Sequence, residues 1–153
     1  MIVIGLISDT HGLLRAQAIQ ALQGVDLIIH AGDIGSLDVI DGLSAIAPVR
    51  AIRGNIDKAT WTHQFPADDV VEIAGKYLYV LHNRHEIDLD PAAAGFDVVI
   101  SGHSHKPSIE RVGDVLFINP GSAGPRRFTL PLAIAKIYIT QQTIEAELQE
   151  LSV

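Results

Sequence analysis

Residues 1–12 read MIVIGLISDTHG, an apolar run followed at once by the polar segment Asp9-Thr10-His11. The run 1–7 is rich in Ile and Val and does not alternate with polar residues, which is typical of a strand buried on both faces. Ligand sites in open α/β sheets form beyond the carboxyl ends of the strands. The stretch therefore predicts a buried strand, and it places Asp9 and His11 at the edge where a site would form.

The following residues alternate between strand and helix patterns. Residues 13–22 carry a helical apolar stripe, 25–30 are a second apolar run, 36–46 are a second helix candidate with Ser36 as its N-cap, and 49–52 are a third short strand. Because strand and helix alternate within about 50 residues, this part predicts a parallel sheet with right-handed crossovers.

The second half is dominated by paired apolar runs with short turns between them. The pairs are 70–74 with 77–82, 109–112 with 115–119, and 132–140 with 144–151. Such pairs are typical of hairpins, so this half is predicted to be antiparallel. Residues 96–101 predict one more buried strand and 91–94 a short helical turn. We expect two packed sheets with helices outside them, in a single domain over 1–153.

Composition excludes several classes of function. The chain has 11 Lys and Arg against 18 Asp and Glu, a net charge of −7, which disfavours nucleic acid as the partner. With no Cys, it has no disulfide and no thiolate nucleophile, in agreement with a cytoplasmic location. No apolar stretch reaches the roughly 18 residues that span a bilayer, so no membrane partner is expected.

Polar residues concentrate directly after the predicted strands. Taken singly, Gly32-Asp33 or Gly54-Asn55 would be ordinary turn residues. Their joint occurrence at strand ends predicts that the side chains converge. The donors are Asp9, His11, Asp33, Asn55, His82, His103 and His105. Seven oxygen and imidazole donors are too many for one tetrahedral ion, and they fit two divalent ions that share a carboxylate.

These motifs, together with Asn119-Pro120-Gly121-Ser122, resemble those of the calcineurin-like metallophosphoesterases, above all the small single-domain bacterial and archaeal phosphodiesterases. The resemblance implies an α/β fold, a four-layer αββα sandwich of two mixed β-sheets flanked by helices. It also implies the ligand sets: Asp9, His11 and His105 for one ion, Asn55, His82 and His103 for the other, with Asp33 bridging. Manganese is the expected metal, and Ni, Fe, Zn and Mg stay open.

The same resemblance implies a phosphoesterase that uses two metal ions, with a small phosphodiester as the favoured substrate. A hydroxide bridging the ions would attack phosphorus, and Asp33, Asn55, His82 and His103 are the expected catalytic residues. The alternatives are a phosphomonoesterase, a nuclease, or a non-catalytic scaffold like the retromer subunit of this fold. Scaffold members have lost at least one metal-binding His, whereas all seven positions are present here.

Two departures from the family pattern concern the leaving group. Ile56 stands where many members carry a His that protonates it, and Asn83-Arg84 follow His82 where the family often has Gly-His. His85 is a candidate replacement acid, with a solvated loop His as the alternative. Arg84 could contact the phosphate or narrow the mouth of the site.

Further residues near the motifs receive supporting roles. Asp57 is expected to orient His11, because ligating imidazoles usually donate their other N–H to a carboxylate or a carbonyl. Arg126 is a candidate phosphate clamp, with a solvated or subunit-contact Arg as the alternative. His30 is interpreted as a buried structural residue. Edge strands of the hairpins could pair between subunits, and we expect a homodimer.

Overall fold

The computed structural model describes residues 1–153 and consists mainly of ten β-strands. In chain order they are β1 (Ile2–Ile7), β2 (Leu27–His30), β3 (Val49–Ala51), β4 (Asp68–Ile73), β5 (Lys76–Leu81), β6 (Val98–Ile100), β7 (Ser108–Val112), β8 (Val115–Asn119), β9 (Ala133–Ile139) and β10 (Ile144–Glu150). They form two five-stranded sheets, in the orders β10-β9-β1-β2-β3 and β4-β5-β6-β8-β7. The prediction of two packed sheets is confirmed.

The main core lies between the two sheets. It contains Ile4 and Ile29 of the first sheet and Leu78 and Ile100 of the second, all essentially without solvent exposure. Ile4 and Leu6 of β1 pack in this core, whereas Ile7 packs on the other face of the sheet in the cluster that contains Ala18 and Leu43. Coverage of both faces explains the uninterrupted apolar run that opens the sequence.

Each sheet contains three parallel strands. These are β1, β2 and β3 in the first sheet, and β5, β6 and β8 in the second. The three predicted hairpins are present as β4–β5, β7–β8 and β9–β10. The prediction that the second half is antiparallel is wrong in one respect, because β6 inserts between β5 and β8 and runs parallel to both. Crossover connections therefore displace β4 and β7 to the edges of the sheet.

Two short α-helices cover the outer face of the first sheet. They are α1 (Ala16–Ala21) and α2 (Leu37–Ser44), both shorter than predicted. The Ser36 side chain caps α2 by accepting a hydrogen bond from the Asp38 N–H, as expected. Ala18 and Leu43 pack in the cluster that covers this face of the sheet. Neither helix has the length or the apolar run needed to cross a membrane.

The outer face of the second sheet is covered by the segment that connects β5 to β6. Ile87 and Phe96 of this segment pack against buried Tyr79 and Val99. The segment contains a 3₁₀ helix, Arg84–Glu86, and hydrogen-bonded turns at 91–95. The sandwich class is confirmed, with the fourth layer built from a 3₁₀ helix and turns rather than an α-helix. The edge strands are β10, β3, β4 and β7, and the homodimer stays a prediction.

Candidate metal centre

The loops that follow the parallel strands meet at one edge of the sandwich. Within the first sheet, the His11 N–H donates to the Asp33 carbonyl at 2.9 Å. Within the second sheet, the Gly102 N–H donates to the His82 carbonyl at 2.9 Å. Between the sheets, the His103 N–H donates to Asp9 Oδ2 at 3.1 Å. The polar segments are therefore neighbours, as their positions at strand ends predicted.

Several of the predicted ligands adopt left-handed backbone conformations. Asp9, His11, Asp33, His103 and His105 have φ values of 56°, 48°, 57°, 72° and 62°. Only two other non-glycine residues in the chain, Ala74 and Phe128, have positive φ. Such conformations are costly for residues with a Cβ and cluster at functional sites, where surrounding contacts hold them. Here the loop-to-loop hydrogen bonds supply those contacts.

The Asp9 carboxylate is fully buried, and one of its oxygens is held by hydrogen bonds. Oδ2 accepts from the Ser8 hydroxyl at 2.8 Å and from the His103 N–H at 3.1 Å. These two donors fix the plane of the carboxylate and aim its other oxygen into the site. Ser8 was not predicted, because a Ser at the end of an apolar run carries no distinguishing signal.

The second oxygen of Asp9 faces three imidazole rings. Oδ1 lies 3.4 Å from His105 Nε2, 3.7 Å from His82 Nε2 and 4.0 Å from His11 Nε2. These distances exceed those of good hydrogen bonds, and Oδ1 has no hydrogen-bond partner although it is buried. A buried acceptor surrounded by nitrogen atoms at such distances leaves room for a cation among them.

Asp33 contacts two of the same rings. Its Oδ2 lies 3.2 Å from His82 Nε2 and 3.7 Å from His11 Nε2, while Oδ1 accepts from the Ile56 N–H at 3.1 Å. Burial by itself would raise the pKa of Asp33, but His82, the Ile56 N–H and His11 together lower that pKa to about 2. Asp33 is therefore an ionised carboxylate at neutral pH.

The orientation of His82 is set by a backbone carbonyl. Its Nδ1 lies 2.8 Å from the Ala31 oxygen and donates to it, so Nε2 carries the free lone pair when the ring is neutral. Burial opposes the charge on His82, but Asp33, the Ala31 carbonyl and Asp9 together raise the pKa of its imidazole. The site thus favours positive charge at Nε2, from a proton or from a cation.

The donor set fits divalent cations. Two groups of donors have ligand atoms within 4.8 Å of one another: Asp9 with His11 and His105, and Asp9 with Asp33 and His82. The buried side-chain atoms that lack any hydrogen-bond partner are Asp9 Oδ1, His11 Nε2, His82 Nε2 and His105 Nδ1. Buried polar atoms without partners are costly, and carboxylate and imidazole donors are those that Mn²⁺, Fe, Zn²⁺ and Ni²⁺ prefer.

The structure brings five of the seven predicted ligands into this cluster and places the other two beside it. The His103 ring is half-buried, 5.3 Å from the His82 ring and nearly perpendicular to it. Asn55 is exposed on the loop after β3 and borders a cleft together with His82. Both therefore lie beside His82, and their binding of an ion stays a prediction.

The prediction that Asp57 orients His11 is wrong. Its carboxylate accepts three backbone hydrogen bonds, from the N–H groups of Ile34 (2.9 Å), Gly35 (3.0 Å) and Gly54 (2.8 Å). Asp57 therefore ties the loop after β2, which carries Asp33, to the loop after β3. Backbone partners of this kind leave no trace in sequence spacing.

Two glycines of the motifs are required by close approach. A Cβ at Gly102 would lie 2.6 Å from Asp9 Oδ2 and closer still to the Ser8 hydroxyl, and a Cβ at Gly54 would overlap the Asp33 carboxylate. Both glycines thus allow a loop to pass directly against a carboxylate of the cluster. Asn119 supports the loop from below, donating to the Gly102 carbonyl at 2.9 Å.

Three candidate residues remain. The Arg84 guanidinium pairs with Glu110 at 2.8 Å, lies 4.2 Å from the centre of the Phe117 ring and borders the cleft beside His103, so its contact with a phosphate or its narrowing of the mouth stays a prediction. His85 is exposed and borders a cleft with His103. Arg126 is exposed in the loop between β8 and β9.

Comparison with known proteins finds relatives over nearly the whole chain. The chain is 33% identical over 158 residues to a probable metallophosphoesterase of Methanothermobacter thermautotrophicus, covering 95% of this chain and 91% of that protein. The solved structure of an archaeal phosphodiesterase is 30% identical, covers 97% of this chain and 100% of its own, and superposes with a TM-score of 0.79.

A third similar structure shares the fold alone. Vacuolar Protein Sorting 29 of Cryptosporidium parvum superposes with a TM-score of 0.76 at 18% identity, covering 99% of this chain and 98% of its own. The family model of the calcineurin-like phosphoesterase superfamily domain matches residues 2–142. On this match and on the archaeal relatives, the resemblance of the motifs is confirmed, and the chain belongs to the calcineurin-like phosphoesterase superfamily.

Proposed function

We propose that this chain is a phosphodiesterase that works with two divalent cations, manganese first among them. The observation that carries the proposal is the cluster around Asp9 Oδ1, where this buried carboxylate oxygen and the Nε2 atoms of His11 and His82 that face it lack hydrogen-bond partners. Protein groups alone leave these atoms unsatisfied, and a cation would satisfy them.

Five to seven side chains would hold the ions. Asp9, His11 and His105 form one set, His82 with Asn55 and His103 the other, and Asp33 lies within 3.7 Å of a ring from each set. Divalent ions supply Lewis acidity that activates water and offsets the charge of a phosphate. Because the pKa of Asp33 is about 2, its carboxylate needs no deprotonation before it binds them at neutral pH.

A diester of a small alcohol or phenol is the proposed substrate. The relative with a solved structure and 30% identity is named a phosphodiesterase, which favours a diester over a monoester. Two clefts lie beside the cluster, one bordered by Asn55 and His82 and the other by His103, whose ring is 5.3 Å from that of His82. The phosphorus of a diester carries two esterified alcohols, and each of the two clefts could receive one of them.

The test combines metal analysis with hydrolysis of bis(4-nitrophenyl) phosphate. Metal-loaded protein is expected to hold two ions per chain, to cleave the ester, and to lose activity on treatment with a chelator. Asp33→Asn is expected to lower turnover more than about 100-fold. Asp41→Asn, an exposed carboxylate of α2, is the matched control and is expected to behave as the unmodified chain.

The competing function is a scaffold that binds partner proteins without catalysis. Its support is the fold shared with Vacuolar Protein Sorting 29, at an identity that indicates the fold alone. The complete donor set in this chain favours the enzyme. If this protein binds no metal and cleaves neither monoesters nor diesters, the scaffold function is favoured over the enzyme.

A further inference from the structure

The cleft beside His103 has the chemistry to receive the leaving group of the substrate. It has a volume of about 530 Å³, within the usual range for small-molecule sites. It lies between the 3₁₀ helix Arg84–Glu86 and the carboxyl ends of β6 and β8, and Ser104 and Phe117 also border it. Because His103 lies 5.3 Å from the His82 ring, the cleft begins at the proposed metal centre.

The opposite cleft, beside Asn55, is less suited to a leaving group that acquires negative charge. Three carboxylates border it, from Asp68, Glu86 and Asp88, against one cation, Arg53, whose guanidinium donates to the Phe65 carbonyl at 2.6 Å. The Tyr79 hydroxyl there is committed to Asp68 at 2.8 Å. No carboxylate borders the cleft beside His103. A departing alkoxide or phenoxide would therefore meet less repulsion on the His103 side.

One side chain in the His103 cleft is free to transfer a proton. Its titratable residues are Arg84, His85 and His103. Arg84 is held by Glu110 and Phe117, and a guanidinium does not give up its proton in proteins. His103 would be engaged by the metal centre. His85 is exposed at the cleft and is held by neither kind of contact, and an imidazole can both donate and accept a proton.

The backbone at His85 is held by its neighbours. The Asn83 side chain caps the 3₁₀ helix by accepting a hydrogen bond from the His85 N–H at 3.1 Å. Arg84 anchors the same turn to β7 through Glu110 and to β8 through Phe117. The two departures from the family motif, Asn83 and Arg84, thus become the supports that hold His85 at the cleft.

We propose that the leaving group occupies this cleft and that His85 protonates it, in place of the His that Ile56 replaces. The attacking water forms a bond to phosphorus and loses one proton to solvent. The bond from phosphorus to the leaving oxygen breaks, and the electron pair stays on that oxygen, which takes a proton from the His85 imidazolium. His85 regains its proton from solvent. This inference rests on the proposed phosphodiesterase function.

The experiment compares two diesters that differ in their leaving groups, 4-nitrophenyl methyl phosphate and phenyl methyl phosphate. The phenyl ester needs a proton on its leaving oxygen far more than the nitrophenyl ester does. His85→Gln is expected to lower kcat/KM about 100-fold for the phenyl ester and less than about threefold for the nitrophenyl ester. His63→Gln, another exposed His on a 3₁₀ helix, is the matched control and leaves both values unchanged.

A binding measurement provides a readout independent of turnover. The NMR signal of the His85 ring, identified by its loss in His85→Gln, is expected to shift when methyl benzylphosphonate is added, whereas the His63 signal stays in place. If the unmodified chain cleaves both esters but His85→Gln changes them equally or not at all, the role of His85 is overturned. If the metal-loaded, unmodified chain cleaves neither, the phosphodiesterase proposal itself fails.

Discussion

Asp9, at the end of the first strand, accepts a hydrogen bond from the backbone N–H of His103, in the loop after β6 of the other sheet. The two residues are 94 positions apart in the chain, and their contact joins the two halves of the sandwich at the proposed metal centre. The other oxygen of the same carboxylate faces three imidazoles. One side chain thus links the packing of the sheets to the proposed binding of metal.

The substitution Asp9→Asn tests this link. The amide keeps the shape of the side chain but removes the charge, and its NH₂ group has to face either the His103 N–H or the ring nitrogens. We expect metal affinity to fall more than about 100-fold, measured by isothermal titration calorimetry. Asp41→Asn again serves as the control. An unchanged affinity would contradict the assignment of Asp9 as a ligand.

The buried His30 predicts how stability depends on pH. Its Nδ1 accepts from the Gly32 N–H and its Nε2 lies 3.0 Å from the Thr10 hydroxyl, so the ring is held neutral. Burial lowers the pKa of His30 from 6.5 to about 4. In the unfolded chain the ring takes up a proton below about pH 6.5, whereas the folded chain does so only near pH 4. The buried, neutral His30 therefore contributes in full to the free energy of unfolding above pH 6.5, and this contribution is lost as the pH falls towards 4.

Urea unfolding of metal-free protein between pH 7.5 and pH 4.5 measures this contribution. We expect the free energy of unfolding to fall by up to about 3 kcal/mol more in the unmodified chain than in His30→Gln. The slope with pH is the readout, because the substitution also removes hydrogen bonds at every pH. Parallel curves for the two proteins would refute the prediction.

Asp57 is expected to stabilise the fold through three backbone N–H groups. Asp57→Asn replaces one acceptor oxygen with an NH₂ group that faces a donor, so we expect a loss of about 1–3 kcal/mol in the free energy of unfolding. Asp69→Asn is the contrasting variant. It removes an ion pair with Arg50 at the surface and is expected to cost less than about 1 kcal/mol. Equal losses would contradict the role assigned to Asp57.

Gly102→Ala tests the close approach to Asp9. Because the Asp9 carboxylate is locked by hydrogen bonds, the new Cβ has to displace it, and metal affinity should fall about 10- to 100-fold. Gly42→Ala is the matched control within α2, where the Cβ would meet only the movable end of the Leu14 side chain. Calorimetry measures the metal affinity of both variants, and circular dichroism verifies that both are folded. Equal affinity in the two variants would refute the steric argument.

The sequence predicted strands more reliably than their pairing. Runs of Ile, Val and Leu reveal buried strands, and short turns reveal hairpins, because both signals are local. The insertion of β6 between β5 and β8 depends on crossovers of more than ten residues, which have no local signal. The helices are shorter than predicted because apolar residues that flank them, such as Leu14 before α1 and Ile46 after α2, pack against the same cluster from outside the helices.

The residues of the site were likewise easier to predict than the contacts that hold them. Its acidic and imidazole residues were predicted from their positions at strand ends, and five of them form the cluster. What could not be predicted are contacts with the backbone, such as Asp57 with three N–H groups and His82 with the Ala31 carbonyl. The ion pair of Arg84 with Glu110 could not be predicted either, because Glu110 lies on a distant strand.

Because the donors come from loops of both sheets, a cation would find its full set of ligands only after the two sheets have packed together. Partly folded chains with a single ordered sheet would offer at most an incomplete coordination sphere. Binding energy would then accrue to the native state alone, and resistance to heat and to proteolysis should rise with the concentration of free metal. Depletion of that metal in a cell would shorten the lifetime of the protein and also abolish its proposed activity.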